Sequence, residues 1–340
     1  MPDHSLRDFM QKISQGVSLD RDEIQTALSI MMSGDATPVQ MGAFIMALRV
    51  RGETVEEITG AAELLRERMK PVTAPKGAVD IVGTGGDSHG TYNVSTCSAL
   101  VAAGAGLKVA KHGNRSVSSK SGASDVLTAL GVKVDLASGD VERCIAAAGV
   151  GFMWAPLHHP AMKQWAPIRA DLGVRTIFNA LGPICNPAGV KRQIVGVYSL
   201  DLVEPIAHVL KNLGSKHVWV VHGHDGMDEM TTTGTTHVAE LKDGAVRTFD
   251  VTPSDAGLPS AQLEDLLGGD AQVNAAAIRD VVAGQKGPFR DIVILNTAAA
   301  LVIGAKARTL AEGAEQASAA IDSGAANAAL ETLITESNNS

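Results

Sequence analysis

Two loops in this sequence carry residue types that hold phosphate groups. The first, Gly83-Thr84-Gly85-Gly86-Asp87, follows the apolar run 79–82 and precedes Thr91, Asn93, Ser95 and Thr96. Glycines let backbone N–H groups approach a ligand closely, and the start of a helix favours anions. The second, Lys111-His112-Gly113-Asn114-Arg115, follows another apolar run, with Ser118 and Ser119 just beyond. It supplies two cations, the arginine as a bidentate fork. The glycine loop is not a dinucleotide fingerprint, because position 88 is Ser. It is not a Walker loop either, because no Gly-Lys-Ser/Thr follows. Taken alone it reads equally well as a tight strand-to-helix turn. Asp87 and Ser95 tip the reading toward a ligand. An acidic group beside phosphate is repulsive unless a metal ion or ribose hydroxyls intervene.

A third group lies far along the chain. Asp228-Glu229 follows the apolar run 217–221 and the turn Gly223-His224-Asp225-Gly226. Adjacent carboxylates can hold Mg²⁺, which takes one or two of them plus waters and phosphate oxygens; a solvated pair is the other reading. His222, His224 and Asp225 fit no common zinc spacing. His158 and His159, being adjacent, point to different sides of a regular element, so joint metal binding is not expected. Arg169 on its own terms is an ordinary helix residue. No Ser-His-Asp or Cys-His arrangement stands out, so no discrete acid, base or nucleophile is assigned.

The elements that must position these groups fall into two textures. The first seventy residues read as helices. Thr37-Pro38-Val39-Gln40 and Thr54-Val55-Glu56-Glu57 have capping-box spacing, and Gly52 stands where the intervening helix should stop. Pro71 and Pro75 then mark a boundary. Beyond it, the short apolar runs 79–82, 107–110, 132–134, 150–153, 194–197 and 217–221 alternate with helical segments. Such runs suit buried parallel strands with crossover helices. Lys242-Asp243-Gly244 reads as a hairpin turn, which gives the sheet an antiparallel edge. The expectation is an α/β protein: a small N-terminal helical domain over 1–72, joined by helices from about 160–182, and a large α/β domain over 73–340 with a mainly parallel central sheet.

Composition narrows the partners. The chain has 340 residues, 45% hydrophobic and only 3% aromatic, so its core is aliphatic. Net charge is −8, with the cations concentrated around 108–120, which suits a small anionic ligand better than nucleic acid. Cys97, Cys144 and Cys185 form no CxxC spacing; reduced, buried thiols in a cytoplasmic protein are expected. No apolar run nears the ~20 residues that span a bilayer, so no membrane association is expected.

Taken together, these segments resemble the anthranilate phosphoribosyltransferase family over nearly the whole chain. The motifs are Asp80 to Asp87, Asn93 to Thr96, Lys111 to Arg115, Arg169 to Pro187 and Asp228-Glu229. The resemblance implies a nucleoside phosphorylase-like phosphoribosyltransferase fold. It implies transfer of phosphoribose from phosphoribosyl pyrophosphate to anthranilate, in tryptophan biosynthesis, with Mg²⁺ as cofactor and a homodimer built through the helical domain. On matching positions, the donor falls to Gly83, Gly86, Asp87, Thr91, Asn93, Val94, Ser95 and Thr96. It also falls to Lys111, His112, Gly113, Asn114, Arg115, Ser116, Val117, Ser118, Ser119 and Ala123. Ser95, Asp228 and Glu229 match the metal ligands. Gly83, Asn114 and Arg169 match anthranilate-binding positions, with His112 and Pro183 lining its path. One departure is the order Ala123-Ser124, where the family often has Ser-Ala; a hydroxyl contact at 123 is lost if the family uses one. The rival readings are a pyrimidine nucleoside phosphorylase-type activity and a non-enzymatic, nucleic-acid-binding relative of the same fold.

Overall fold

Capping chemistry sets the first four helices, α1 (Leu6–Ser14), α2 (Arg21–Ser33), α3 (Pro38–Arg51) and α4 (Val55–Arg68). Thr37 and Thr54 accept hydrogen bonds from the N–H groups of Gln40 and Glu57, whose side chains return them, as the spacing predicts. α3 stops where Gly52 takes φ 91°. The computed structural model describes residues 5–85, 89–115 and 120–339.

A seven-stranded sheet follows, in the order β3-β2-β1-β4-β5-β6-β7. Its strands are β1 (Val79–Gly83), β2 (Val109–Gly113), β3 (Val150–Trp154), β4 (Arg192–Gly196), β5 (His217–Gly223), β6 (Thr236–Lys242) and β7 (Ala245–Val251). The first five are parallel, and β6 and β7 add an antiparallel edge. The β6–β7 turn is the expected one: Asp243 and Gly244 both take positive φ, 50° and 78°, matching the right-handed twist of the strands. The run 132–134, expected as a strand, joins no ladder. Gly131 at φ 97° turns the chain, and the Lys133 N–H is taken by the Ser337 hydroxyl rather than a strand carbonyl.

The connecting helices are α5 (Val94–Gly104), α6 (Ala123–Ala129), α7 (Ser138–Ala148), α8 (Ala155–His158), α9 (Ala166–Leu172), α10 (Ile177–Ile184) and α11 (Val203–Asn212). Four more close the chain: α12 (Ala271–Val282), α13 (Pro288–Ile303), α14 (Leu310–Asp322) and α15 (Ala325–Asn338). Period-two alternation divides the strand side chains between two buried clusters. Ile81, Ile194, Trp219 and Val221 face α5, α7 and α12 to α15. Val82, Val195, Val218 and Val220 face α11 and the helical set. Trp165, Ile168, Phe178 and Leu181, from the stretch around α9 and α10, pack in that second cluster with α1 to α4. The helical set therefore borders one face of the sheet near its carboxyl ends.

Candidate active site

β1 lies between β4 and β2: the chain runs from β1 to β2 and β3 on one side, then returns across β1 to β4 and β5 on the other. That reversal opens a crevice at the carboxyl ends of β1 and β4, where open α/β sheets bind ligands. The segment 227–230 crosses this crevice. Met227 and Met230 are fully buried, and Asn296 of α13 both donates to Met230 O (2.8 Å) and accepts from Met230 N (3.1 Å). Held there, Asp228 lies directly on the strand ends. A Cβ on Gly196 would overlap the Asp228 carbonyl, and one on Gly83 would overlap its carboxylate. Gly196→Ala therefore forces backbone against backbone. A loss of about 1–3 kcal/mol of stability, the usual size for overpacking, is expected. Urea unfolding checks it; an unchanged midpoint would show that the segment does not press on β4.

The two carboxylates on this segment are aimed by backbone amides. Asp228 Oδ2 accepts from Gly85 N at 2.6 Å, and Glu229 Oε1 accepts from Ser95 N, in the first turn of α5, at 3.0 Å. Beneath them Lys111 is 3% exposed. Its ammonium donates to Ile81 O (2.6 Å) and Ser95 Oγ (3.3 Å). Burial lowers the Lys111 pKa, and Asp80, Glu229 and Asp228 oppose that fall. Two carboxylates, a hydroxyl and a buried ammonium thus share the mouth of one helix. Such a group is built for a highly charged ligand rather than a neutral one.

Asp80 lies deeper, fully buried on β1. Its carboxylate accepts from Asn186 Nδ2 (2.7 Å) and His112 N (3.3 Å), while Asn186 also donates to Ala110 O (2.9 Å). Burial pushes the Asp80 pKa up to about 6, against the pull of Lys111 and these hydrogen bonds. A raised folded pKa favours the protonated native form. Its contribution is present below about pH 4 and is lost as pH rises through about 6, on the order of 3 kcal/mol. Wild type should therefore lose about 2 kcal/mol of stability relative to Asp80→Asn between pH 4.5 and 7, measured by urea unfolding. A pH-independent difference would show that Asp80 does not titrate there.

The opposite wall comes from the helical side. His112 Nδ1–H donates to Gly182 O at 3.1 Å, which fixes the tautomer and leaves Nε2 as a buried acceptor without a partner among the described residues. Burial, then His159 and His158, hold the His112 pKa well below 6.5, so the ring is neutral at pH 7. His159 lies 5.1 Å from it, ring to ring, while His158 turns away to Lys70 O. Pro183, the residue after Gly182 on α10, fixes this wall through its carbonyl, which accepts from Gln193 Nε2 at 3.2 Å. Arg169 on α9 is half-buried, its guanidinium 5.6 Å from the Phe178 ring centre. Burial lowers its pKa, and no carboxylate pairs with it among the described residues. A planar cation with no internal counter-ion suits a ligand carboxylate.

The other positions singled out from sequence divide as follows. Asn93 sits before α5, its Oδ1 accepting from Asn274 Nδ2 (2.9 Å) and its Nδ2 donating to Ser121 O (3.2 Å). Val94 and Thr96 are buried in the first turn of α5. Thr91 bridges Leu267. At the end of β2, Asn114 O accepts from Ser124 N, and Arg115 lies 5.5 Å from the Trp154 ring. A Cβ on Gly113 would meet Phe152 and Ala123. Ser124 is 1% exposed, and its hydroxyl has no hydrogen-bond partner among the described residues. Gly86, Asp87, Ser116, Val117, Ser118 and Ser119 lie outside the described residues. Asp225, adjacent to the histidines weighed for zinc, accepts from Thr231, Thr233 and Met227 N. Sequence reasoning assigned no role to Asn186 or Asn274. Both are single polar residues whose partners lie 106 and 181 positions away, so no local pattern marks them.

Known proteins match this arrangement over almost its full length. The sequence matches the glycosyl transferase family, helical bundle domain, over residues 7–69, and the glycosyl transferase family, a/b domain, over 75–327. An anthranilate phosphoribosyltransferase of Rhodopseudomonas palustris (strain TIE-1) is 60% identical over 328 residues, covering 96% of this chain and 97% of that protein. One from Azorhizobium caulinodans is 57% identical, covering 96% and 95%. The crystal structure of the Thermus thermophilus enzyme superposes with a TM-score of 0.91 at 40% identity, covering 97% of this chain and 99% of that one. The Saccharomyces cerevisiae enzyme, solved in complex with PRPP and Mg, superposes with a TM-score of 0.90 at 30% identity over 98% of both chains.

Proposed function

We infer the reaction from one premise: this chain belongs to the anthranilate phosphoribosyltransferase family. It transfers the 5-phosphoribosyl group of phosphoribosyl pyrophosphate (PRPP) to the amine of anthranilate, giving N-(5′-phosphoribosyl)anthranilate and pyrophosphate, in tryptophan biosynthesis. Mg²⁺ is the cofactor. The donor set fits it: Asp228, Glu229 and Ser95 offer only hard oxygen atoms, as Mg²⁺ requires. When bound, the metal neutralises charge on the leaving pyrophosphate.

The residue roles are those the family resemblance implies, and the described geometry supports the ones it covers. Gly83, Thr91, 93–96, 111–115 and Ala123 receive the donor, with Gly86, Asp87 and 116–119, which lie outside the described residues, taking part as the resemblance implies. Asp228 and Glu229 hold the metal with Ser95, and Lys111 supplies a cation beneath them. Arg169 takes the acceptor carboxylate, while Gly83, Asn114, His112 and Pro183 line the space between. The C1–O bond to pyrophosphate breaks, the amine nitrogen bonds to C1, and the amine proton leaves to solvent. Anthranilate's aryl amine is neutral at pH 7, so no discrete base is needed. Catalysis rests on positioning and electrostatics. The observation that carries this reading is the pinning of Asp228 to Gly85 N and Glu229 to Ser95 N, which ties the carboxylates to the glycine loop and the helix mouth.

Three further properties belong to the same reading. The helical domain comprises 1–72 and the helices around 160–182, and the α/β domain 73–340; Pro71 and Pro75 mark the joint. The enzyme acts as a homodimer through the helical domain. An apolar stripe on α3 at helical spacing supports this, with Val39 80% and Val50 82% exposed. It works in the cytoplasm, a reading supported by three buried free thiols. No helix among the described residues is long and apolar enough to cross a membrane.

Mass spectrometry of the reaction with PRPP, anthranilate and Mg²⁺ tests the assignment. N-(5′-phosphoribosyl)anthranilate is expected. Phosphate-dependent cleavage of pyrimidine nucleosides in its place would overturn the assignment.

A further inference from the structure

The two halves of the proposed site meet at a contact outside it. Arg175 lies in the turn between α9 and α10, after Gly173 (φ 61°), which ends α9, and before Thr176, which precedes α10. Its guanidinium sits 4.5 Å from the ring centre of Tyr198, just beyond β4. The Tyr198 N–H in turn donates to Thr84 Oγ1 at 3.0 Å, and Thr84 N donates to Gly196 O at 2.9 Å. One short path therefore runs from the helix that carries Arg169 to the glycine loop. Burial pushes the Tyr198 hydroxyl up, and Arg49 and Glu53, also from the helical set, act on it electrostatically.

We propose that Arg175 and Tyr198 form a positioning joint that sets Arg169 at its distance from the glycine loop, and so tunes capture of anthranilate. The proposal rests on the transferase reading above. The joint is asymmetric. On the helical side it is made by side chains alone: a guanidinium on an aromatic face. On the loop side it is made by the Tyr198 backbone, which substitution of the side chain leaves in place. Breaking it loosens the turn that follows α9, whose core packing remains, while the glycine loop keeps its hydrogen bonds. The acceptor's binding should therefore weaken and the donor's should not. The ring is the working part, because a cation is attracted by the π-face and not by the hydroxyl.

The test measures initial rates of pyrophosphate release with each substrate varied in turn. Tyr198→Ala and Arg175→Ala each raise the anthranilate KM by roughly tenfold, the size of a partly desolvated cation–π contact, and leave the PRPP KM within about twofold. The double variant is no worse than either single one, since both remove the same contact. Tyr198→Phe restores wild-type constants. Arg175 is partly exposed, so its variant reads the joint even if Tyr198→Ala folds poorly. Equal rises in both KM values, an unchanged anthranilate KM, or failure of Phe to rescue would overturn the joint alone. A wild type that releases no pyrophosphate would overturn the reaction and the joint with it.

Discussion

The double variant Asp228→Asn, Glu229→Gln should turn over roughly 10³-fold more slowly than wild type at limiting Mg²⁺, the cost of removing a main source of transition-state charge stabilisation. The substitutions are chosen to spare the fold. An Asn oxygen can still accept from Gly85 N, and a Gln oxygen from Ser95 N. The backbone of 227–230 remains clamped by Asn296 and seated on Gly196. Two negative charges disappear and little else changes. Raising Mg²⁺ should recover part of the rate, because the lesion is in metal affinity. Removing the charges also leaves the Lys111 ammonium with Asp80 as its remaining carboxylate neighbour, since burial already opposes its charged form. Kinetics unchanged at limiting Mg²⁺ would remove Asp228 and Glu229 from the metal site.

The second large effect lies on the acceptor side. Arg169→Ala should raise the anthranilate KM by roughly 10- to 100-fold, the range for losing a charge-assisted hydrogen bond, with the PRPP KM unchanged. Arg169 rests on Phe178, which in turn meets Trp165 edge-on at 4.5 Å. That aromatic backing holds the guanidinium plane without consuming its hydrogen-bond donors. Lysine, a point charge without the planar fork, should restore little. A rise confined to the PRPP KM would place Arg169 with the donor instead.

Local signals carried much of the fold. The capping boxes at Thr37 and Thr54 and the Asp243-Gly244 turn depend on residues three positions apart or fewer, and the sequence displays them. The parallel strands were legible because each is a short apolar run ended by glycine or a loop. The run 132–134 misled for the same reason. It is apolar and short, yet α15 supplies its partner through Ser337, which no neighbouring residue announces. The site was legible as motifs and not as an arrangement. Nothing local relates Gly196 to Asp228, Asp80 to Asn186, or Asn93 to Asn274. Those relations exist only once the sheet order brings β1 beside β4 and lays 227–230 over both. Asp80 is the clearest case. It opens the glycine motif, but its burial comes from the position of β1 between β2 and β4, and its link to the basic loop through His112 N comes from the β1–β2 pairing.

The central claim is that the crevice at β1 and β4 grips a phosphoribosyl donor through a metal while the helical side presents anthranilate to it. Release of pyrophosphate from PRPP, followed with and without anthranilate and with and without Mg²⁺, tests it most directly. Release that requires both anthranilate and Mg²⁺ is the predicted result. Release at the same rate without anthranilate, or none with both present, would contradict it.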